Sequence, residues 1–379
     1  MAVLVTRGLS VLFQNVRGCT FLHQNKARDC WRCVKRYLLS DHVIRLLEFQ
    51  QKKVAIANQM YISRDQYFNN IEGKLKKNEL ILKDDLKVLL HLCQTPSDVE
   101  VAKDIIYRYH AENRNMAFGE FKFGPLFMRL CYELGLEETA EKVVKDQILK
   151  GFFSDSTSFN IVMDMLFMKG SYERALGVLL EMKNQGIKFS KDTYTLAFAV
   201  CYKMNTGEAY RICSMLLEES LTRGDFIPRH AFCFAVALAI KQNDVVKARS
   251  IYSYIMHTDS KICLNLHLLL LALSGAQQNL LSVLEKAIVN NVPEFVKKVD
   301  FSQEVLAIVR KTFENDLGFQ RCFEDVCETL KRSGQITALS LDDMLCYTPS
   351  GKKPLNRLLN TRKVSRRTFK PLRSALLSE

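Results

Sequence analysis

The stretch that decides the fold runs from Ser156 to Ser190 and reads STSFNIVMDMLFMKGSYERALGVLLEMKNQGIKFS. Its first part, Phe159 to Met168, is apolar and long enough for a helix, and Gly170 then marks a turn. The next part, Tyr172 to Gln185, has apolar residues spaced to fall on one face of a second helix. Gly186 follows, where glycine can end the helix in a left-handed conformation. The stretch therefore predicts a helical hairpin.

The same hairpin pattern occurs earlier in the chain. Three small residues recur with an offset of 35 residues, since Gly135, Ala140 and Gly151 correspond to Gly170, Ala175 and Gly186. One hairpin cannot bury its own apolar face, so repeated hairpins must stack on one another. We therefore expect an all-α fold, a right-handed superhelical solenoid of helix-turn-helix repeats with helical caps.

The pattern continues, less regularly, on both sides of this repeat. It predicts an array over residues 81–292, in which residues 156–190 form the best repeat. Residues 37–80 are then a helical N-terminal cap and residues 293–343 a C-terminal helical cap. No apolar run approaches the ~20 residues that a membrane-spanning helix needs, so we expect no membrane span.

The first 36 residues have the composition of a mitochondrial targeting segment. They carry a net charge of +6, and the first 28 contain no acidic residue. Leu4, Leu9 and Leu12 alternate with polar and basic residues, which is typical of an amphipathic, arginine-bearing transit peptide. Residues 1–36 are therefore predicted to be a mitochondrial transit peptide, with the matrix as destination.

The other charged end is the tail, residues 344–379. It carries a net charge of +8, and the total is +13, so the body between the two ends is close to neutral. Clustered lysines and arginines attract phosphate backbones regardless of base sequence. The tail is therefore predicted to contact an RNA backbone, the alternative being a tail that only aids solubility. Its basic residues are Lys352, Lys353, Arg357, Arg362, Lys363, Arg366, Arg367, Lys370 and Arg373.

The best repeat also carries a family resemblance. This stretch resembles a pentatricopeptide repeat in Ser158-Phe159-Asn160, followed by Gly170, Ala175, Met182, Gly186 and Lys188. The resemblance extends over about residues 80–290. Where the family usually ends a repeat with Pro-Asp, this chain has Phe189-Ser190, and residues 121–155 depart from the pattern at Gly124-Pro125.

This resemblance implies binding of single-stranded RNA, with one base read per repeat by two or three side chains. By position, Asn160 and Ser190 would face one base edge and Thr157 would pack against the base plane. Thr195 and Arg229 would serve the next repeat and Cys233 the one after, while Lys188 would contact the backbone. The alternative for Asn160 is that it only satisfies backbone groups at the start of a helix.

The sequence contains no recognisable catalytic site. Asp342-Asp343 is the only adjacent pair of aspartates near the C-terminus, and the Gly-x-x-x-x-Gly-Lys and His-Glu-x-x-His motifs do not occur. The twelve cysteines are mostly scattered singly through apolar helices, and Cys30 and Cys33 have no second pair at ligand spacing. We therefore predict a non-enzymatic protein without a metal or other cofactor.

Three functional classes remain. The favoured one is a mitochondrial RNA-binding factor that matures or stabilises organelle transcripts and so supports the respiratory chain. The second is a subunit or assembly factor of the mitochondrial ribosome. The third is a protein scaffold that binds a peptide on the concave face of the solenoid, which the neutral body favours. The expected partners are single-stranded mitochondrial RNA and, with it, RNA-processing proteins or the mitochondrial ribosome.

Overall fold

A computed structural model describes residues 38–112, 122–289 and 298–347. The predicted transit peptide and the nine basic residues of the tail lie outside the described residues. Three helices come first in the described chain: α1 (Asp41–Ile44), α2 (Leu46–Gln59) and α3 (Arg64–Lys76).

Between residues 83 and 289, the described helices form six hairpins, each made of a first and a second helix. The pairs are α4 (Lys83–Leu92) with α5 (Pro96–Glu112), α6 (Gly124–Leu134) with α7 (Glu137–Lys145), α8 (Ser156–Met168) with α9 (Tyr172–Asn184), α10 (Lys191–Met204) with α11 (Gly207–Arg223), α12 (Arg229–Lys241) with α13 (Val245–Ser253), and α14 (Lys261–Leu273) with α15 (Gln277–Val289). A single 3-10 turn, Gln147–Leu149, follows α7.

The glycines that recur with the 35-residue offset lie at the ends of helices and turns and have positive φ angles. Gly135 and Gly170 have φ angles of 68° and 75°, and Gly151 and Gly186 have φ angles of 93° and 70°. At Gly170 the backbone N–H donates to the carbonyl of Phe167, which satisfies an open carbonyl at the end of α8. A Cβ at Gly170 would meet no atom within 4 Å, so the positive φ rather than crowding requires glycine here.

The first helices form the inside of the array. Each first helix from α4 to α12 packs against the first helix of the next hairpin, whereas the second helices are buried only in part. All ten residues of α8 from Ser158 to Phe167 are buried. An α-helix that is apolar on every side is expected where it is enclosed on every side. Small residues allow the two helices of a hairpin to approach, and Ala102, Ala140, Ala175 and Ala248 are fully buried.

The C-terminal part adds α16 (Gln303–Thr312), α17 (Leu317–Arg332) and α18 (Leu341–Leu345). Two strands of two residues each, β1 (Phe301–Ser302) and β2 (Ile336–Thr337), pair in parallel. The prediction of an all-α helical repeat solenoid is confirmed, and this small strand pair is an unpredicted addition. Within the described ranges, no helix has the length and hydropathy to cross a bilayer.

Candidate RNA-binding surface

The residues predicted to read a base in the best repeat meet at the junction with the next repeat. The side-chain amide of Asn160 on α8 donates to Ser190 Oγ at 3.0 Å, and Thr193 Oγ1 on α10 donates to Asn160 Oδ1 at 2.8 Å. The hydroxyls of Ser190 and Thr193 lie 3.0 Å apart. These three side chains, the Asn160 cluster, form a closed hydrogen-bonded triangle in which Asn160 is only 2% exposed.

Ser190 has a structural role in this cluster because it begins α10. Its hydroxyl accepts from the backbone N–H of Thr193 at 3.3 Å, while Thr193 Oγ1 accepts from the backbone N–H of Ser190 at 3.1 Å. This reciprocal arrangement is a capping box. Asn160 therefore stabilises the N-terminal cap of α10 by hydrogen bonds to the side chains of Ser190 and Thr193. Its own helix is capped by Asp155, whose carboxylate accepts from Ser158 N at 3.1 Å.

The other predicted RNA-contacting residues differ in exposure. Thr157 and Thr195 are half-buried, and Arg229 and Lys188 are exposed. The hydroxyl of Thr195 donates to the carbonyl of Lys191 at 3.1 Å, and a guanidinium nitrogen of Arg229 lies 3.4 Å from the carbonyl of His257. Among the described residues, Asn160 and Ser190 are the only predicted readers that hydrogen-bond to each other.

Cys233 does not lie where a base-reading residue would lie, but its burial agrees with its position in an apolar helix. It is 2% exposed, and its sulfur lies 3.6 Å from that of Cys263, which is also buried. The pKa of the Cys233 thiol is raised by this contact and by burial. The helical register turns Cys233 into the core, so it presents no hydrogen-bonding group to a base on the surface.

The inner face of the array is covered near its C-terminal end by residues 338–347, which we call the C-terminal strap. Asp342 forms an ion pair with Lys203 on α10, with an Nζ–Oδ2 distance of 2.6 Å. His230 Nε2 on α12 lies 2.6 Å from the Leu345 carbonyl, and the Lys261 ammonium on α14 lies 5.5 Å from the centre of the Tyr347 ring. The strap thus contacts three consecutive first helices.

Residues 38–53, the N-terminal strap, cover the inner face further upstream. The backbone N–H groups of Leu38 and Leu39 donate to Asp164 on α8. Arg129 on α6 donates to the Ile44 carbonyl at 2.6 Å, and Lys53 pairs with Glu133 on α6 at 2.6 Å. Together the two straps contact every first helix from α6 to α14.

Two lysines of the inner face, Lys203 and Lys241, are engaged by other groups of the protein. Burial opposes the charge of Lys203, but neighbouring Cys346 and Asp342 outweigh it and raise the pKa of this lysine. Burial lowers the pKa of Lys241 to about 8, and the ammonium lies 3.6 Å from the centre of the Tyr202 ring. These charges are therefore engaged within the protein, and in the part of the chain that the structure describes these two lysines do not line an open basic groove.

Sequence reasoning missed Asp164 and Asp342 as contact residues. Asp164 sits in an apolar run, and Asp342 was considered only as half of an acidic pair. The available signal was the capping pattern around α18, where the Ser340 hydroxyl donates to the Asp343 carboxylate at 2.7 Å and accepts from the Asp343 backbone N–H at 3.0 Å. That pattern predicts a short helix after residue 340 but not what the helix packs against.

The stacked hairpins and the 35-residue repeat define a helical-repeat protein of the pentatricopeptide type. The model of the family described as mitochondrial 28S ribosomal protein S27 matches residues 12–214, more than half of the chain. The chain is 54% identical over 345 residues to the human pentatricopeptide repeat-containing protein 2, mitochondrial, covering 91% of this chain and 89% of the relative. The proteins of the same name from Xenopus laevis and zebrafish are 54% and 51% identical, with 92% of each chain covered. The chain belongs to this family of mitochondrial pentatricopeptide repeat proteins.

Proposed function

We propose that this protein binds single-stranded RNA in the mitochondrial matrix and helps to mature or stabilise organelle transcripts, thereby supporting the respiratory chain. Pentatricopeptide repeats generally bind RNA, one base per helical repeat. The observation that carries the proposal is the contact between Asn160 and Ser190, because two side chains able to donate and accept meet at one repeat junction. The same family typically lacks enzymatic activity, so the role is one of binding.

The Asn160 cluster can engage a base by exchanging partners. Asn160 uses one of its two amide donors on Ser190 and one lone pair on Thr193, so donor and acceptor capacity remains. Ser190 is half-buried and is the member nearest to solvent. A base edge that replaced Ser190 as the partner of Asn160 would keep the number of hydrogen bonds unchanged. Thr157, Thr195 and Arg229 would flank this point, whereas buried Cys233 would stay in the core.

Binding of the RNA phosphate backbone needs exposed cations, and the two lysines of the inner face are already engaged within the protein. Lys203 is paired with Asp342, and Lys241 is largely buried. Backbone contact therefore falls to exposed Lys188 and to the basic residues of the tail. Nine lysines and arginines within residues 344–379 provide a sequence-independent attraction whose strength falls as salt rises.

The family match to mitochondrial ribosomal protein S27 favours a second candidate function. A subunit or assembly factor of the mitochondrial ribosome would also use helical repeats and a basic tail on RNA. The two functions differ in the RNA that is held, since one holds messenger or precursor transcripts and the other ribosomal RNA within a particle.

Sedimentation of a mitochondrial lysate through a sucrose gradient, with and without ribonuclease, tests the proposal. The proposed function predicts that the protein migrates in light fractions, apart from both ribosomal subunits, and shifts to still lighter fractions after ribonuclease treatment. Stable co-migration with one subunit would favour the ribosomal function. A light position that ribonuclease does not change would contradict RNA binding and favour the protein scaffold.

A further inference from the structure

Two cysteines meet in the core where the hairpin of α12 and α13 stacks on the hairpin of α14 and α15. Cys233 on α12 and Cys263 on α14 are 2% and 0% exposed, and their sulfurs lie 3.6 Å apart. The two helices that carry them pack directly against each other. A disulfide bond is about 2.05 Å long, so the sulfurs need to approach by only about 1.5 Å to form one. The fold thus holds two thiols as near neighbours although they are 30 positions apart in the chain.

The best repeat shows that this contact follows from the register of the stacked hairpins. Cys233 is the fifth residue of α12, as Asn160 is of α8. Cys263 is the third residue of α14, as Thr193 is of α10. Asn160 and Thr193 are hydrogen-bonded at 2.8 Å. The two cysteines therefore occupy a pair of positions that stacking brings together, with two thiols in place of an amide and a hydroxyl.

The surroundings of Cys263 favour its thiolate over its thiol. Its backbone N–H donates to the hydroxyl of Ser260, the N-terminal cap of α14, at 3.3 Å. The hydrogen bond from the Cys233 thiol is the largest influence on the pKa of Cys263 and lowers it. The Ser260 side chain and the charge of Arg229 act in the same direction, and burial opposes them. Since the thiolate is the reactive form, Cys263 is the better nucleophile of the pair.

We propose that Cys233 and Cys263 form a redox-sensitive pair, which a hydroperoxide converts into a disulfide that ties α12 to α14. Both thiols are free in the structure, which is then the resting form. Disulfides in compartments that keep thiols reduced are usually transient and redox-sensing. The proposal concerns these two side chains alone and does not depend on RNA binding.

The reaction balances with hydrogen peroxide as the oxidant. The Cys263 thiolate attacks one peroxide oxygen, so that an S–O bond forms, the O–O bond breaks, and hydroxide leaves and takes up the proton that Cys263 released. The Cys233 sulfur then attacks the sulfenic sulfur of Cys263. An S–S bond forms, the S–O bond breaks, and the hydroxyl leaves as water with the proton of Cys233. Two thiols are oxidised, and one peroxide is reduced to two waters.

The pair lies in the first turns of its two helices, beside residues that reach the surface. Arg229, one turn before Cys233 on α12, is exposed, and Ser260 is half-buried. A guanidinium nitrogen of Arg229 lies 3.4 Å from the carbonyl of exposed His257 in the connection that leads to α14. A small oxidant therefore has to pass only this connection to reach the sulfurs, and a disulfide here joins the ends of two consecutive first helices.

Peptide mapping of the oxidised full-length protein tests the pair directly. The native protein is treated with hydrogen peroxide, the remaining thiols are blocked with N-ethylmaleimide under denaturing conditions, and a tryptic digest is analysed by mass spectrometry with and without a reductant. Trypsin releases Cys233 within residues 230–241 and Cys263 within residues 262–286, and each peptide contains one cysteine. We expect these two peptides as one linked species that the reductant separates.

Two other cysteines serve as internal controls in the same digest. Exposed Cys322 reports that the oxidant was active. Buried Cys213 on α11, whose pKa is raised by burial, should be recovered with its maleimide label. The same treatment in urea should give mixed pairings, because the native geometry is then lost. Recovery of Cys233 and Cys263 as separate labelled peptides after Cys322 has reacted, or their linkage to other cysteines in the native protein, would overturn the proposal.

Thermal unfolding tests whether the disulfide fits the native fold. The link closes a loop of about 30 residues, so the oxidised protein should melt at least about 3 °C above the reduced one. Cys263→Ala, treated with the same oxidant, should show no such rise. A linked wild-type protein that melts no higher than the reduced form would contradict a native disulfide between α12 and α14. If Cys263→Ala does not fold, the mapping of the wild-type protein decides by itself.

Discussion

Lys203 and Asp342 lie 139 residues apart in the chain, yet the lysine ammonium contacts both carboxylate oxygens, at 2.7 and 2.6 Å. This pair joins α10 in the middle of the array to α18 at the end of the described chain. The C-terminal strap is thereby fixed against the inner face of the solenoid. Lys203 is therefore already paired within the protein and is not open to an outside anion.

Breaking this pair should loosen the strap. Asp342→Asn keeps the shape but removes the charge that holds Lys203, whose side chain is only 18% exposed. We expect a loss of about 1–3 kcal/mol in the free energy of unfolding, as for a hydrogen bond between charged groups. The urea midpoint measures it. Glu328→Gln, which breaks an exposed pair with Arg332, should cost less than about 0.5 kcal/mol. An equal effect of both substitutions would deny the strap pair any special role.

Asn160→Ala tests base reading at the repeat junction. The substitution removes the side chain that joins Ser190 to Thr193, and we expect affinity for a preferred RNA to fall by about 1–3 kcal/mol. Filter binding with oligonucleotides that differ at one base shows whether Asn160 contacts a base or only supports the start of α10. Loss of the preference at one base position supports contact with that base. Unchanged affinity and unchanged preference would refute base reading by Asn160.

Deleting residues 348–379 tests the backbone contact of the tail. The nine basic residues of the tail all lie in this segment, so affinity should fall for all RNA sequences, and the dependence of log affinity on log salt should become shallower. Replacing the nine cations by glutamine in the full-length chain is the matched control for length. A salt slope equal to that of the intact protein would leave the tail without phosphate contacts.

Asp164 should make the stability of the protein depend on pH. Burial raises the pKa of Asp164 to about 7 in the folded state, above the value near 4 that it has when unfolded. Between these values the folded state binds more protons, so the stabilisation is complete below about pH 4 and is lost as pH rises through about 7. Relative to Asp164→Asn, the free energy of unfolding should fall by about 2–4 kcal/mol over this window. Parallel pH profiles for the two proteins would contradict the raised pKa.

Gly170 should resist substitution because of its backbone. Its φ angle of 75° lies where residues with a Cβ are strained, and Gly170→Ala should cost about 1–2 kcal/mol of stability. Gly207 at the start of α11 offers the matched control, because it has no positive φ and a Cβ there meets no neighbour. Gly207→Ala should be neutral or slightly stabilising in thermal unfolding. Equal losses at both positions would mean that the turn at Gly170 does not need glycine.

The repeat could be predicted from the sequence because its signals are local. Gly170 and Gly186 end helices within a few residues of the apolar runs that they follow, and Ala175 packs against the other helix of its own hairpin. Those features depend on short separations, and the structure has them where the pattern placed them. The contact between Asn160 and Ser190 was also within reach, since it follows from stacking one repeat on the next.

The contacts of the straps could not be predicted in the same way, whereas the burial of Cys233 agrees with its place in an apolar helical pattern. Lysine and aspartate are usually exposed, and the pairing of Lys203 with Asp342 depends on how the whole array folds. No local sequence pattern encodes a contact between residues 139 positions apart. Cys233 shares its position in the repeat with Asn160 but faces another cysteine in place of a polar cap. The partner 30 residues further along the chain is Ser190 for Asn160 and Cys263 for Cys233, and this difference decides whether the position is polar.

Ultraviolet crosslinking in intact mitochondria, followed by sequencing of the bound RNA, tests the central claim most directly. The wild-type protein should give sharp peaks on one or a few messenger or precursor transcripts, and Asn160→Ala should weaken those peaks while the tail still retains RNA. Peaks confined to ribosomal RNA would favour a function in the mitochondrial ribosome. The absence of crosslinked RNA would contradict an RNA-binding function altogether.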